Sequence, residues 1–139
     1  MEIRNASTEE DIAKCFRVMK ELRPHLVEND FVSLVKKMIA EGYKLAFIEE
    51  NNIAVAAIGF RYLQLLYNGK QFYIDDLTTL PKSRGKGYGS MLLDYVAALA
   101  KREGFDAVTL DSGHQRFDAH RLYLNKGYKI AAHHFSKTL

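Results

Sequence analysis

The chain has one cysteine, two prolines and no tryptophan in 139 residues. A lone Cys15 excludes an internal disulfide and a cysteine-based zinc site, so no metal is expected. That cysteine usage fits a reducing compartment. With a polar, acidic start that lacks signal-peptide character, it points to the cytoplasm. No apolar run approaches the roughly 20 residues of a membrane span. Neither sign of charge dominates: 20 Lys and Arg stand against 17 Asp and Glu, a net charge of +3. No basic run exceeds two residues, so a nucleic-acid footprint is missing, whereas a small anionic ligand suits the mild excess. Repeats, low-complexity tracts and linkers are also missing. The length is that of one compact domain, 1–139.

What is present is globular in character, 47% hydrophobic and 27% charged. Ile3 and Arg4 read as a short strand. Ser7 or Thr8 caps a helix with Glu9, Glu10 and Asp11 in its first turn, where the helix dipole favours acids. Ile12, Cys15, Phe16, Met19 and Leu22 recur at helical spacing, and Pro24 closes that helix. Phe31, Leu34, Val35, Met38 and Ile39 mark a second amphipathic helix that stops at Gly42. Lys44 to Glu49, the turn Asn51-Asn52, and Ile53 to Tyr62 read as a hairpin. Asn68-Gly69 turns the chain into a strand from Gln71 to Leu80. A helix over Met91 to Arg102 follows, then a central apolar strand over Ala107 to Leu110, reached by a right-handed crossover. A helix over Phe117 to Asn125 and a final strand or pair of strands from Tyr128 to Leu139 complete the chain. The fold class is α/β (α+β): a mixed, mostly antiparallel central sheet with helices on both faces.

Between the strand ending at Pro81 and the helix at Met91 lies Arg84-Gly85-Lys86-Gly87-Tyr88-Gly89-Ser90. A glycine-rich turn at a helix start gathers backbone N–H groups at the positive end of the helix dipole, a natural seat for phosphate. The triphosphatase loop needs Gly, four residues, then Gly-Lys-Ser/Thr, and no stretch has that spacing. The dinucleotide fingerprint needs a third glycine that is missing at its offset. The pattern Arg/Gln-x-x-Gly-x-Gly/Ala matches Arg84, Gly87 and Gly89.

On these residues the chain resembles the GNAT superfamily of N-acetyltransferases. Tyr73 to Pro81 is similar to the family's central strand entering its acetyl-CoA loop. Ala119-His120-Arg121-Leu122-Tyr123-Leu124-Asn125-Lys126-Gly127-Tyr128 is similar to its late motif. The element order matches over nearly the whole chain. One departure is Arg116, where many members carry Asn. Ser112-Gly113-His114-Gln115-Arg116 is similar to a Ser-Gly-x-x-Arg version in which Arg116 meets the cofactor's phosphates.

The resemblance implies acetyl-CoA as acetyl donor, with CoA as product, and direct attack by a neutral amine. N–H groups from Gly85, Lys86, Gly87, Tyr88, Gly89 and Ser90 would grip the pyrophosphate, with Gly87 and Gly89 letting backbone approach closely. Arg84, Lys86 and Lys82 would add charge. Backbone N–H groups of Leu77, Thr78 and Thr79 would face the thioester oxygen as the donor's arm pairs with the strand edge. Tyr123 would give a proton to the departing thiolate. Asp75 and Asp76 are adjacent in a strand, so their side chains are expected on opposite faces. The more polar face favours Asp75 as the active-site carboxylate, with loop bracing as the plain alternative. His114 and His120 are further candidates for the base, and Cys15 belongs to the core.

Arg23, His25, Arg61 and Tyr62 are placed to line the acceptor side. The partner is a small-molecule or peptide amine, with no nucleic acid and no membrane. A homodimer follows from resemblance, with Ala131 to Leu139 as the segment that would pair across a two-fold axis. Two alternatives stay open: binding of acetyl-CoA without transfer, and transfer of a longer acyl group.

Overall fold

A computed structural model describes residues 2–139. The elements run β1 (Ile3–Asn5), α1 (Glu9–Lys14), α2 (Phe16–Leu22), α3 (Glu28–Ala40), β2 (Tyr43–Glu50) and β3 (Ile53–Leu65). They continue with β4 (Gly69–Thr79), a 3-10 turn (Pro81–Ser83), α4 (Tyr88–Arg102), β5 (Ala107–Leu110) and α5 (Phe117–Asn125). One five-stranded sheet has the order β1-β2-β3-β4-β5. Its first three pairings are antiparallel, and β4–β5 is parallel. The parallel pair needs a crossover, and α4 supplies it.

Helices cover both faces. On one side α4 and α5 pack over Ala46, Ile48, Ile58, Phe60, Phe72 and Ile74. On the other, α1, α2 and α3 bury Tyr43, Leu45 and Phe47. Phe47 and Phe60 are fully buried, one on each side. Each stabilises the fold by about 1.5–3 kcal/mol through burial alone. Period-two alternation in β2 and β3 divides the residues between these two cores.

Four expectations need correction. The first helix is two, broken at Cys15, whose N–H bonds back to Ile12 O at 3.0 Å; a bond to the third preceding residue tightens the turn and redirects the axis. The helix expected from Met91 starts three residues earlier, at Tyr88 with Gly87 as its cap. The last three residues of the glycine-rich run, Tyr88 to Ser90, are therefore helical. The strand expected from Tyr128 to Leu139 does not form. Ile130, Phe135 and Leu139 are 83%, 90% and 109% exposed. Alternating apolar residues need a partner edge and a face to bury, and the neighbouring β5 offers only four residues. That segment consequently presents no strand to pair across a two-fold axis.

The fourth correction concerns the carboxylates. Phe60 lies opposite Ile74 and Gly59 opposite Asp76, so Asp75 is an extra residue in β4. This β-bulge breaks the alternation. Asp75 and Asp76 both reach the α2 side of the sheet, where Asp75 meets Arg61, and Asp76 meets Tyr43 and Arg23.

Candidate active site

The glycine-rich loop forms the first wall. Gly85 and Gly87 have φ of +80° and +84°, a left-handed backbone that favours glycine. A Cβ at either would meet nothing within 4 Å, so both face open space. Gly89 differs. A Cβ there would stand 3.1 Å from Leu122 Cδ2, so this glycine serves the close approach of α5 to α4. The first turn of the 15-residue α4 leaves N–H groups without partners inside the helix, and the dipole adds positive potential there.

Glu50, at the end of β2, braces this loop. Its carboxylate accepts bonds from Ser83 Oγ at 3.2 Å, Lys86 Nζ at 3.2 Å and the Tyr88 hydroxyl at 2.9 Å. The Tyr88 bond, then that from Lys86, holds its pKa below the usual carboxylate range. The Tyr88 ring is buried, so only its backbone faces the opening. Arg84 reaches Thr79 O at 3.4 Å and Glu21 at 3.5 Å, tying the loop to the end of β4.

The second wall is a split in the sheet. β4 and β5 pair only from Gln71–Ala107 to Ile74–Leu110. There β5 ends, leaving the β5-facing edge of residues 75–79 without a strand partner. A cavity of about 120 Å³ fills the gap, lined by Leu22, Arg23, Asp75, Asp76, Leu77, Leu110, Ser112, Arg116 and Tyr123 among others. Tyr123 enters from the α5 side, the carboxylates from the α2 side. The split is thus a passage between the two faces.

Within it, Ser112 Oγ is buried without a hydrogen-bond partner, a polar atom that a bound ligand would satisfy. The Tyr123 phenol is half-buried. Burial raises its pKa, with the Arg116 guanidinium pulling it the other way. Thr78 donates from Oγ1 to Val18 O at 3.1 Å, so its side chain anchors α2 and only its backbone is free to face a ligand.

Asp75 takes a bidentate grip from Arg61, at 2.8 and 3.1 Å. Burial raises the pKa of Asp75, and Asp76 pushes the same way against the lowering by Arg61 and Arg23. Asp76 accepts from the Tyr43 hydroxyl at 2.8 Å and from Arg23 at 3.0 Å. The Arg61 guanidinium lies over the Tyr43 ring, 5.4 Å from its centroid. Gly59 makes room for this arrangement: a Cβ there would overlap the Tyr43 hydroxyl.

Of the residues placed on the acceptor side from sequence, Arg23 and Arg61 join this cluster. Tyr62 packs instead on Phe105, with ring centroids 5.1 Å apart, and His25 does not line the cavity. His120 contacts Gly113 O at 2.9 Å; neither it nor His114 lines the cavity. Cys15 is fully buried, and burial pushes its thiol up to about 12, as befits an inert core residue. Sequence reading missed Glu50 and Tyr43, which carry no local signal. It named Ser112 within the Ser-Gly-x-x-Arg segment but gave it no role. Among the described residues, no group of three or more His, Cys, Asp or Glu is placed to hold a metal ion. No helix among them is long and apolar enough to cross a membrane.

Residues 6–128 match the model of the acetyltransferase (GNAT) family. The chain is 34% identical over 137 residues to "Uncharacterized N-acetyltransferase YhdJ" of Bacillus subtilis (strain 168), covering 97% of this chain and 96% of that protein. It is 39% identical over 66 residues to the aminoalkylphosphonate N-acetyltransferase of Salmonella typhimurium (strain LT2), covering 48% of this chain and 43% of that one. An aminoglycoside N-acetyltransferase solved in complex with CoA superposes with a TM-score of 0.85 at 12% identity, over 99% of this chain and 93% of that one.

Proposed function

The chain belongs to the acetyltransferase (GNAT) family, and from that premise we propose that it moves an acetyl group from acetyl-CoA to the primary amine of a small molecule or peptide terminus. The observation that carries this reading is the split between β4 and β5, which brings Tyr123 and the Asp75–Asp76 pair into one cavity from opposite faces of the sheet.

The residues present fit the donor. Gly85 and Gly87 leave an open backbone cradle at the start of α4, suited to a pyrophosphate. The unpaired edge of residues 75–79 accommodates an extended amide-bearing arm by strand addition. Ser112 Oγ lacks a partner inside the cavity. Acetyl-CoA supplies a thioester carbonyl open to attack by a neutral amine.

The chain's own groups then divide the work. N–H groups of Gly85 to Ser90 hold the phosphates, with Arg84 and Lys86 adding positive charge; Arg116, which lines the cavity with Tyr123, meets the donor nearer its thioester. Backbone N–H groups of Leu77 to Thr79 stabilise the carbonyl oxygen as charge develops on it. Asp75, with Asp76 beside it, accepts the proton that the amine loses, directly or through water. As the C–N bond forms and the C–S bond breaks, Tyr123 gives its hydroxyl proton to sulfur and recovers one from solvent. A single domain over 1–139, a cytoplasmic location and a homodimer go with this reading.

The test is thermal unfolding with acetyl-CoA, followed by release of free thiol on adding amines. Binding to the folded state alone should raise the melting temperature in a concentration-dependent way. No shift, together with no thiol release from any amine, would refute the reading. Glu50→Ala supplies a more specific check. Without this carboxylate, Ser83, Lys86 and Tyr88 lose their common acceptor, and the cradle loosens. Initial-rate kinetics should show the KM for acetyl-CoA raised by about tenfold, the scale of one lost bond to a charged group. The kcat should change little.

A further inference from the structure

We propose that the acceptor is a small zwitterion, an amine joined by a short tether to an oxyanion such as a phosphonate, phosphate or carboxylate, and that Arg23 receives the oxyanion. This rests on the acetyl-transfer reading and narrows its substrate class.

Both carboxylates in the cavity are already matched by a guanidinium. Asp75 pairs with Arg61 at 2.8 Å, and Asp76 with Arg23 at 3.0 Å. Two carboxylates and two guanidiniums sum to no net charge, so a zwitterion suits this cluster better than a polycation does. Its ammonium end finds Asp75 and Asp76, with Asp111 also lining the cavity. Its anionic end finds the guanidinium beside them.

Arg23 has the geometry for that second role. It follows α2 directly and lines the cavity. Its Nε bonds Asp76 Oδ1 at 3.1 Å, and its Nη2 bonds the Asp75 carbonyl at 3.0 Å. These bonds fix the plane of the guanidinium. Among the described residues Nη1 has no hydrogen-bond partner, and the side chain is 42% exposed. A guanidinium held along one edge and open along the other is pre-organised to take an oxyanion at little entropic cost. The half-buried Arg61 is similar, with Nε and Nη2 on Asp75 and Nη1 without a hydrogen-bond partner among the described residues.

Position sets the tether. Arg23 bonds both Asp76 and the Asp75 carbonyl, so an amine at the carboxylates lies within a short alkyl chain of the guanidinium. The oxyanion of a short aminoalkyl acid would then sit at the mouth, where Arg23 lies.

The experiment compares 2-aminoethylphosphonate, β-alanine, n-propylamine and putrescine as acceptors, following thiol release from acetyl-CoA. Thermal shift by acetyl-CoA is recorded on the same samples. The two anionic amines should exceed n-propylamine in kcat/KM by about tenfold or more, the scale of one charge-assisted bond. Arg23→Gln should reduce the ratio of kcat/KM for 2-aminoethylphosphonate over n-propylamine by about tenfold. Arg23→Lys should restore part of it. The acetyl-CoA shift should persist in both variants, showing that they fold. The proposal is overturned if n-propylamine or putrescine matches the anionic amines, or if Arg23→Gln leaves the ratio unchanged. A persisting shift with that outcome defeats the zwitterion alone. Loss of both shift and thiol release in the unmodified protein defeats the acetyl-transfer reading, and the zwitterion with it.

Discussion

Replacing Tyr123 with phenylalanine is expected to lower kcat by about two orders of magnitude, the scale of a lost general acid, with little change in the KM for acetyl-CoA. The substitution removes one oxygen and keeps the ring, so the packing against Tyr128, with centroids 6.0 Å apart, is preserved. Burial raises the pKa of the phenol above its ordinary value. It therefore stays protonated throughout the neutral range, ready to donate. The leaving thiolate, with a solution pKa of about 8.5, is a good recipient once the C–S bond begins to break. Steady-state rates at saturating acetyl-CoA, read by a thiol reagent, measure the effect directly. Unmoved thermal unfolding would show that the loss lies in chemistry, and an unchanged kcat would remove Tyr123 from the reaction.

Asp75→Asn is expected to cost about a hundredfold in kcat/KM for the amine and to remove the limb that Asp75 adds to its pH profile, below the separate one set by deprotonation of the amine. The limb should lie above the ordinary carboxylate range, because burial and the neighbouring Asp76 raise the pKa of Asp75 against the pull of Arg61 and Arg23. The proton acceptor must be ionised, so activity falls as pH drops through that raised value. The same shift carries a sign for stability. Folding favours the protonated form, so this contribution is complete below the unfolded-state pKa and is lost as pH rises through the folded one. Asn does not titrate, and the variant should lack that decline between the two values. A pH–rate profile that keeps this lower limb in Asp75→Asn, beneath the one set by the amine, would assign the proton transfer elsewhere.

The limits of sequence reading at this site follow from where the information resides. Gly85, Gly87 and the Tyr123–Gly127 spacing are local, and a helix start with its preceding turn is written in consecutive residues. The shared face of Asp75 and Asp76 is not local. It depends on the register of β4 against β3, where Gly59 and Phe60 oppose Asp76 and Ile74. Alternation within β4 alone predicts the wrong side for one of them. Glu50 escaped notice for a similar reason. It stands 38 residues from Tyr88, and only the folded sheet end brings it under the loop. The tail from Tyr128 was over-read because alternation records what a strand would need, not whether a partner edge exists.

The opening between β4 and β5 has one more consequence. A sheet ordinarily insulates the layers it separates, and here the layers keep distinct cores. Helices α1 to α3 can accumulate substitutions, shift or be remodelled without disturbing how α4 and α5 sit. Both layers nevertheless share one aperture. The architecture therefore lets one half of a bimolecular reaction diversify while the other is inherited intact, as a common socket fitted with exchangeable faces.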